Sequence, residues 1–251
     1  MLFNYHTHTK RCNHADGEDR EYVEKAIEGG MKTLGFSDHA PYLFPSTDYY
    51  SAFRMQTDEL FSYTESIRAL AKEYASDIRI LCGFELEYYP DFHKQEMEFL
   101  KQVQPDYILM GQHFIGNELL PARLSKHEDG FLSAYVTQVL AGLATGDFLY
   151  LAHPDLAGFQ FSDECIQTQY RRLCEGAKRM GIPLEINCLG IRTKRHYPDV
   201  RLFKIAGEVG NEVIIGSDAH TPLDVCDVAS EKTAKEMALG CGLKVIDKPI
   251  I

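Results

Sequence analysis

Short apolar runs of strand length alternate with amphipathic helical stretches along almost the whole chain. The runs are LFNYH (2–6), TLGFS (33–37), IRILCGFELEY (78–88), YILMGQH (107–113), FLYLAH (148–153), IPLEIN (182–187) and VIIGSD (213–218). The helical stretches lie near residues 19–29, 57–75, 93–103, 130–145, 165–180, 199–209 and 229–240. Buried strands that alternate with helices form a parallel sheet covered by helices, so we predict an α/β fold.

Seven strand–helix units in 251 residues favour a closed or nearly closed barrel over an open sheet. No GxGxxG motif follows any strand, which argues against an open dinucleotide-binding sheet. A chain of this length can hold two small domains or one large barrel. No linker, low-complexity tract or charge block marks a boundary, so we predict one barrel domain over residues 1–251.

The net charge of −11 argues against a broad basic surface for nucleic acid. It also disfavours an anionic substrate, unless bound divalent cations reverse the local field. The N-terminal stretch MLFNYHTHTK lacks the pattern of a signal peptide, and no apolar run approaches the roughly 18 residues of a membrane span. We therefore expect a cytoplasmic protein that binds neither nucleic acid nor membranes. No sequence feature specifies its oligomeric state.

Side chains of metal-binding type stand at the carboxyl end of every predicted strand. In chain order they are His6 and His8, Asp38 and His39, Glu85 and Glu87, His113, His153, Glu185 and Asn187, and Asp218 and His220. Residues i and i+2 of a strand point to one face, so the HxH pair at the start of the chain points into the barrel mouth. One such histidine is usually structural, but the repetition falls where barrel enzymes build their active sites.

The types of these side chains restrict the choice of metal. Imidazole combined with carboxylate suits zinc, manganese or iron, whereas magnesium and calcium prefer oxygen ligands. Four protein groups suffice for a tetrahedral zinc ion, so the candidates are numerous enough for two to three divalent ions. His14, in the loop after the first strand, is a further candidate, and Cys12 is a weaker one.

The ordered motifs HTHTKRCNHA, LGFSDHAP, FELEYYPDF and GSDAH, with single histidines between them, resemble the PHP (polymerase and histidinol phosphatase) superfamily. Within it they resemble the stand-alone histidinol-phosphate phosphatases. The resemblance implies a distorted, TIM-like (β/α)7 barrel with a trinuclear metal site at the C-terminal ends of the strands. It assigns His6, His8, Glu85 and Asp218 to one ion, Glu85 (as a bridge), His113 and His153 to a second, and His14, His39 and His220 to a third.

The same resemblance implies metal-assisted hydrolysis of a small phosphate monoester, histidinol phosphate, in histidine biosynthesis. Glu85, Asp218 and His220 would serve the reaction as ligands of the catalytic ions. The EINCLGIR segment resembles a family stretch whose arginine contacts phosphate, which indicates Arg192, and His39 faces the same group. Asp155 either protonates the leaving group or orients His153, and we favour the second role.

Other loop residues are open to more than one interpretation. Arg123, Lys126 and Arg195 are basic residues within reach of a phosphate or solvated surface charges. The segment 40–56, rich in tyrosine and phenylalanine, is expected to form a long loop that closes over the substrate. Glu87, Glu185 and Asn187 are candidates for orienting the metal ligands rather than for binding the metal.

The sequence leaves three alternative functions open. A PHP phosphoesterase that acts on a nucleotide or a sugar phosphate would use the same scaffold. A metal-dependent amidohydrolase barrel also begins with HxH, but it usually has eight strands and a lysine ligand, and no strand end here carries lysine. A non-catalytic metal-binding protein would hold its ions in closed sites and hydrolyse no monoester.

Overall fold

The computed structural model describes residues 1–45, 49–119, 129–158 and 161–251. Among these residues the strands are β1 (Phe3–Asn4), β2 (Thr33–His39), β3 (Arg79–Leu86), β4 (Tyr107–Met110), β5 (Leu184–Asn187), β6 (Glu212–Gly216) and β7 (Lys244–Val245). The α-helices are α1 (Asp19–Glu28), α2 (Leu60–Glu73), α3 (His93–Leu100), α4 (Asp129–Leu143), α5 (Asp163–Met180), α6 (Cys188–Arg192), α7 (Val200–Val209) and α8 (Val228–Gly240). Short 3-10 helices cover Lys10–Cys12, Thr57–Glu59, Lys101–Val103 and Pro222–Cys226.

Parallel pairing runs around a barrel through seven chain segments. Strands β1 to β4 pair in chain order, and β5 to β7 form a second parallel group. Leu151 joins the two groups, because it bridges Met110 at the end of β4 and Leu184 at the start of β5. On the opposite side Thr7, beyond β1, bridges Ala219, beyond β6. The predicted distorted (β/α)7 barrel is confirmed.

The predicted strand at 148–153 is wrong as a regular strand. Only Leu151 forms bridges, although Leu149 N–H donates to Ile108 and Glu185 N–H to Leu151. The segment therefore occupies the fifth barrel position without regular pairing. Pro183, directly before β5, has no N–H to donate, which limits the ladder on that side. The two-residue strand β7 was not predicted, and it pairs with the start of β6.

Strands β1, β2, β4 and β5 are buried along their whole length, as expected for a parallel sheet that helices cover. Every residue of β2 is buried. A compact group of side chains fills the barrel below the strand ends and includes Tyr5, Leu81, Tyr107 and Leu109. Because residues i and i+4 of a strand share a face, Leu81 in this group places Glu85 directly above it. The apolar group thus forms the floor beneath the polar strand ends.

Helix starts near the barrel mouth are fixed by side-chain caps. Ser162 Oγ accepts a hydrogen bond from Cys165 N–H at the start of α5, and Asp199 accepts one from Arg201 N–H at the start of α7. Such caps satisfy N–H groups that have no partner within the helix. No helix in the described ranges is both long and apolar enough to cross a membrane.

Candidate metal centre

The carboxyl ends of the strands surround a cavity of about 470 Å³. Its polar lining consists of His8, His14, His39, Glu85, His113, His153, Asp218 and His220, and Arg195 and Tyr197 stand at its side. His6, fully buried, lies 3.4 Å from Glu85 and 3.5 Å from Asp218. The structure therefore brings all nine sequence-predicted metal ligands to one place.

Two imidazoles and two carboxylates are spaced like the corners of a metal coordination shell. Nε2 of His6 lies 3.4 Å from Glu85 Oε2 and 3.5 Å from Asp218 Oδ1. Nε2 of His8 lies 3.3 and 3.2 Å from the same two oxygens. In a tetrahedral zinc site with bonds of about 2.0–2.2 Å, neighbouring ligand atoms are about 3.3–3.6 Å apart. The four atoms fit one ion of this kind.

Several polar atoms in this group are buried without a partner. His6 Nε2, Glu85 Oε2 and Asp218 Oδ1 have no hydrogen-bond partner among the described residues. Buried polar atoms are almost always paired, because an unpaired one costs about 1–3 kcal/mol. A cation between them would satisfy all three, so the residues present fit a divalent metal ion.

Glu85 faces a second set of imidazoles with its other oxygen. Its Oε1 lies 2.8 Å from His153 Nε2 and 3.9 Å from His113 Nε2. One carboxylate that presents its two oxygens to different histidines has the arrangement of a bridging ligand. A glycine makes room for it, because a Cβ on Gly111 would lie 1.6 Å from Glu85 Oε1.

The third predicted group lies beside the first. The rings of His14 and His220 are 4.8 Å apart between centroids, and those of His14 and His39 are 5.3 Å apart. His39 Nδ1 is also only 3.2 Å from Glu85 Oε2. Cys12, the weaker candidate, places its sulfur near ligand atoms of His14 and His220.

Burial and charge set the protonation of these groups. Burial alone raises the pKa of Glu85, but nearby imidazoles outweigh it and hold that pKa well below its usual range. Asp218 behaves in the same way. Burial, helped by the neighbouring His8, lowers the pKa of His220 to about 3. Burial lowers the pKa values of His6 and His8, but nearby carboxylates, Asp218 foremost, outweigh it and raise both pKa values well above their usual range. These two rings therefore release a proton when a metal binds, because anionic carboxylates and neutral imidazoles are the metal-binding forms.

The far nitrogens of several rings are held by other groups. Nδ1 of His6 lies 2.7 Å from Glu185, Nδ1 of His113 lies 2.8 Å from Glu87, and Nδ1 of His14 lies 2.7 Å from the carbonyl of Cys12. Such contacts fix the orientation and the tautomer of a metal-binding imidazole. Glu87 and Glu185 therefore stand where orienting residues are expected.

Asp155 is placed differently. It is 1% exposed, and burial raises its pKa to about 7. Its carboxylate accepts a hydrogen bond from Asp199 N–H, whereas its other oxygen and His153 Nδ1 have no partner among the described residues. Asp155 therefore makes no hydrogen bond to His153, the ring that it is predicted to orient, because its carboxylate is turned towards the start of α7.

Two of the candidate ligands have an unusual backbone. His153 has φ of 28° and Asp218 has φ of 46°, in the left-handed region that residues other than glycine seldom adopt. Both follow directly on a barrel segment. Residues held in such conformations tend to cluster at functional sites.

The two arginines after β5 have different surroundings. Arg192, which the resemblance indicates for phosphate, pairs with Asp224 at 3.0 Å and Asp227 at 3.3 Å and does not line the cavity. Arg195 does line it, and its guanidinium donates to Tyr197 Oη at 2.9 Å. The short helix α6, which the sequence analysis missed, ends at Arg192 and so separates the two. Arg123 and Lys126 lie outside the described residues.

The loop predicted over the cavity contributes to its wall. Phe53 lines the cavity, with its ring 5.3 Å from His39 and 5.9 Å from His113 between centroids. Residues 46–48 of this loop are outside the described ranges.

Comparison with known proteins agrees with this geometry. The family model of the PHP domain matches residues 4–188. The chain is 29% identical to a probable histidinol-phosphatase of Deinococcus radiodurans over 89% of this chain and 88% of the relative. It is 31% identical to the histidinol-phosphatase of Bacillus subtilis over 44% of this chain and 43% of that protein.

A solved structure shares the fold. The histidinol phosphate phosphatase of Lactococcus lactis, crystallised with zinc, L-histidinol and phosphate, superposes with a TM-score of 0.74 at 19% identity. The match covers 98% of this chain and 95% of that chain. The barrel, its cluster of ligands at the strand ends and the family match lead to one conclusion: the chain belongs to the PHP domain family.

Proposed function

We propose that this chain is a metal-dependent phosphatase that hydrolyses histidinol phosphate to histidinol and phosphate. The observation that carries the proposal is the convergence of nine metal-binding side chains, eight of which line one cavity, with His6, His8, Glu85 and Asp218 at tetrahedral spacing. The relatives described as histidinol-phosphatases support the choice of substrate.

The ligand groups would hold two to three divalent ions of zinc, manganese or iron, divided as the resemblance implies. When bound, such ions neutralise phosphate oxygens and lower the pKa of coordinated water towards neutrality. The protein contributes the fixed geometry. Glu185 and Glu87 orient the imidazoles of His6 and His113, so that Nε2 of each ring points towards the cavity.

Arg195 rather than Arg192 is the arginine that we assign to the phosphate. A guanidinium binds phosphate through paired hydrogen bonds, and that of Arg195 lies at the cavity with Tyr197 beside it. Arg192 instead holds the chain after β6 in place, because it donates to the carbonyl of Asp218 at 3.0 Å.

We assign Asp155 a structural role at the start of α7 rather than proton transfer. Its carboxylate does not line the cavity and binds the start of α7 through Asp199 N–H. The apolar side chains Phe53, Leu156 and Leu189 form the part of the wall that would contact the organic portion of the substrate. The open cavity beyond the ligands argues against a closed, non-catalytic metal site.

The proposal is tested by metal analysis combined with a panel of substrates. The purified protein should contain zinc, manganese or iron, and should release phosphate from histidinol phosphate only when metal is bound. Turnover that survives complete chelation would refute the metal mechanism. A preference of about a hundredfold or more for a nucleotide or sugar phosphate would refute the substrate. Glu85→Ala should abolish turnover, because it removes the bridging carboxylate.

A further inference from the structure

Arg54, in the loop before α2, is a fully buried charged residue outside the ligand set. Its side chain is 1% exposed and is the largest of the fully buried side chains described. Its Nε donates to Glu118 at 2.9 Å, its Nη2 to Glu87 at 2.9 Å, and its Nη1 to the carbonyl of Ala40 at 2.8 Å. Nη2 also lies 2.9 Å from Glu118 Oε2, so the guanidinium joins two carboxylates and one carbonyl.

One of these partners, Glu87, also contacts a candidate metal ligand. Glu87 uses Oε2 for Arg54 and Oε1, at 2.8 Å, for Nδ1 of His113. The side chain of His113 is 25% exposed, whereas that of His153 is 3% exposed. Packing alone therefore constrains the His113 ring less, and the contact with Glu87 is what fixes its direction.

The other carboxylate, that of Glu118, is hydrogen-bonded to the loop that forms part of the cavity wall. Glu118 Oε1 accepts hydrogen bonds from Tyr49 Oη at 2.7 Å and from Ser51 Oγ. Phe53 lies between these residues and Arg54 in the sequence; its ring contacts the guanidinium at 4.4 Å and lies 5.9 Å from the ring of His113 between centroids. The guanidinium thus joins the loop to the strand ends.

A buried network of this kind is weak evidence for a purely stabilising role. Replacing a buried ion pair by well-packed apolar side chains is often neutral or stabilising, because desolvation offsets the attraction. Substitution of a residue that is hydrogen-bonded to a metal ligand, by contrast, typically lowers metal affinity by about ten- to a hundredfold. The hydrogen bonds from Arg54 to Glu87 and from Glu87 to His113 place Arg54 behind a candidate metal ligand in this way.

We propose that Arg54 is a positioning residue for the metal centre and its wall. Through Glu87 it fixes the imidazole of His113, and through Glu118 it holds Phe53 against that imidazole. The inference rests on the assignment of His113 as a ligand in the function proposed above. Lysine cannot replace Arg54, because one ammonium group cannot reach three partners that diverge as those of a guanidinium do.

The test compares Arg54→Ala and Arg54→Lys with wild type and with Arg68→Ala, an arginine that instead binds the carbonyls of Val103 and Gln104. Metal content and metal affinity are measured by elemental analysis and chelator competition. Arg54→Ala and Arg54→Lys should each weaken the binding of one ion by about ten- to a hundredfold. Arg68→Ala should bind metal like the wild type.

Two further measurements separate positioning from general structural damage. Nitrogen-15 NMR of the metal-free protein should show His113 as one tautomer, protonated at Nδ1, in the wild type and as a mixture in Arg54→Ala. Methylguanidinium, but not methylammonium, should restore metal binding to Arg54→Ala. It has access through an adjoining cavity of about 350 Å³ that Arg54 helps to line.

The outcomes distinguish this inference from the proposed function. A wild-type protein that binds no divalent metal overturns the proposed function. A wild type that binds metal, together with Arg54→Lys that folds, binds metal equally well and keeps one His113 tautomer, overturns the role of Arg54 alone. If Arg54→Ala does not fold, Arg54→Lys still decides the question.

Discussion

Glu96 on α3 makes the stability of this protein depend on pH. Its carboxyl group is 1% exposed; Oε2 accepts a hydrogen bond from Leu43 N–H at 3.1 Å, and Oε1 has no partner among the described residues. Burial raises the pKa of Glu96 from its ordinary value of 4.5 to about 8. The folded protein therefore keeps a proton on this group at pH values where the unfolded chain has lost it.

The direction of the effect follows from proton linkage. Between about pH 4.5 and pH 8 the native state binds more protons than the unfolded state, so the free energy of unfolding falls as the pH rises. The contribution is complete below pH 4.5 and is lost by about pH 8. At about 1.4 kcal/mol per pH unit, the whole window corresponds to roughly 5 kcal/mol, an upper limit if the site relaxes or admits water.

The substitution Glu96→Gln isolates this contribution, because glutamine carries no charge at any pH. Urea unfolding of metal-free wild type and variant at pH 5, 6, 7 and 8 gives both free energies. The free energy of unfolding of the variant, relative to that of the wild type, should rise by roughly 2–4 kcal/mol between pH 5 and pH 8. The control is Glu98→Gln, on the same helix with a side chain 65% exposed, which should show little change. A difference between Glu96→Gln and wild type that stays constant with pH would refute the reasoning.

Three further predictions concern the metal centre. Glu185→Gln should lower the affinity for the ion at His6 by about ten- to a hundredfold in chelator competition, because the ring loses a charged partner; unchanged affinity contradicts this. Arg195→Ala should raise the KM for the phosphate monoester by about tenfold or more while metal content stays normal, and an unchanged KM would remove Arg195 from phosphate binding. Gly111→Ala should reduce metal content on elemental analysis, because the added Cβ displaces the Glu85 carboxylate. Full metal content in this variant would contradict the prediction, since it would show that the carboxylate can shift without loss of metal.

The sequence predicted the centre well because its signals are local. Strand period places His6 and His8 on one face, and parallel strands bring their carboxyl ends together. These two rules were enough to predict that the strand-end imidazoles and carboxylates meet at one rim of the barrel. The family resemblance then divided the ligands among ions, a division that remains a prediction.

The contributions of the loops and of the fifth barrel position could not be predicted in the same way. Arg54 lies in a segment without periodicity, and its carboxylate partners stand 33 and 64 residues further along the chain. The choice between Arg192 and Arg195 depends on helix α6, whose five residues carry too little pattern to be recognised. The loss of regular pairing at 148–153 depends on its neighbours in the barrel. Each of these features is decided by tertiary contact.

The left-handed backbone of His153 and Asp218 has a consequence for protein engineering. A residue with a Cβ in that region costs roughly 1–2 kcal/mol more than glycine, so glycine at either position would relax the ion-free chain. A redesign guided only by thermal stability would favour that exchange and delete a ligand each time. Stability selection and metal binding therefore oppose each other at these two positions, and a more heat-resistant variant of this barrel must be screened with its ions present.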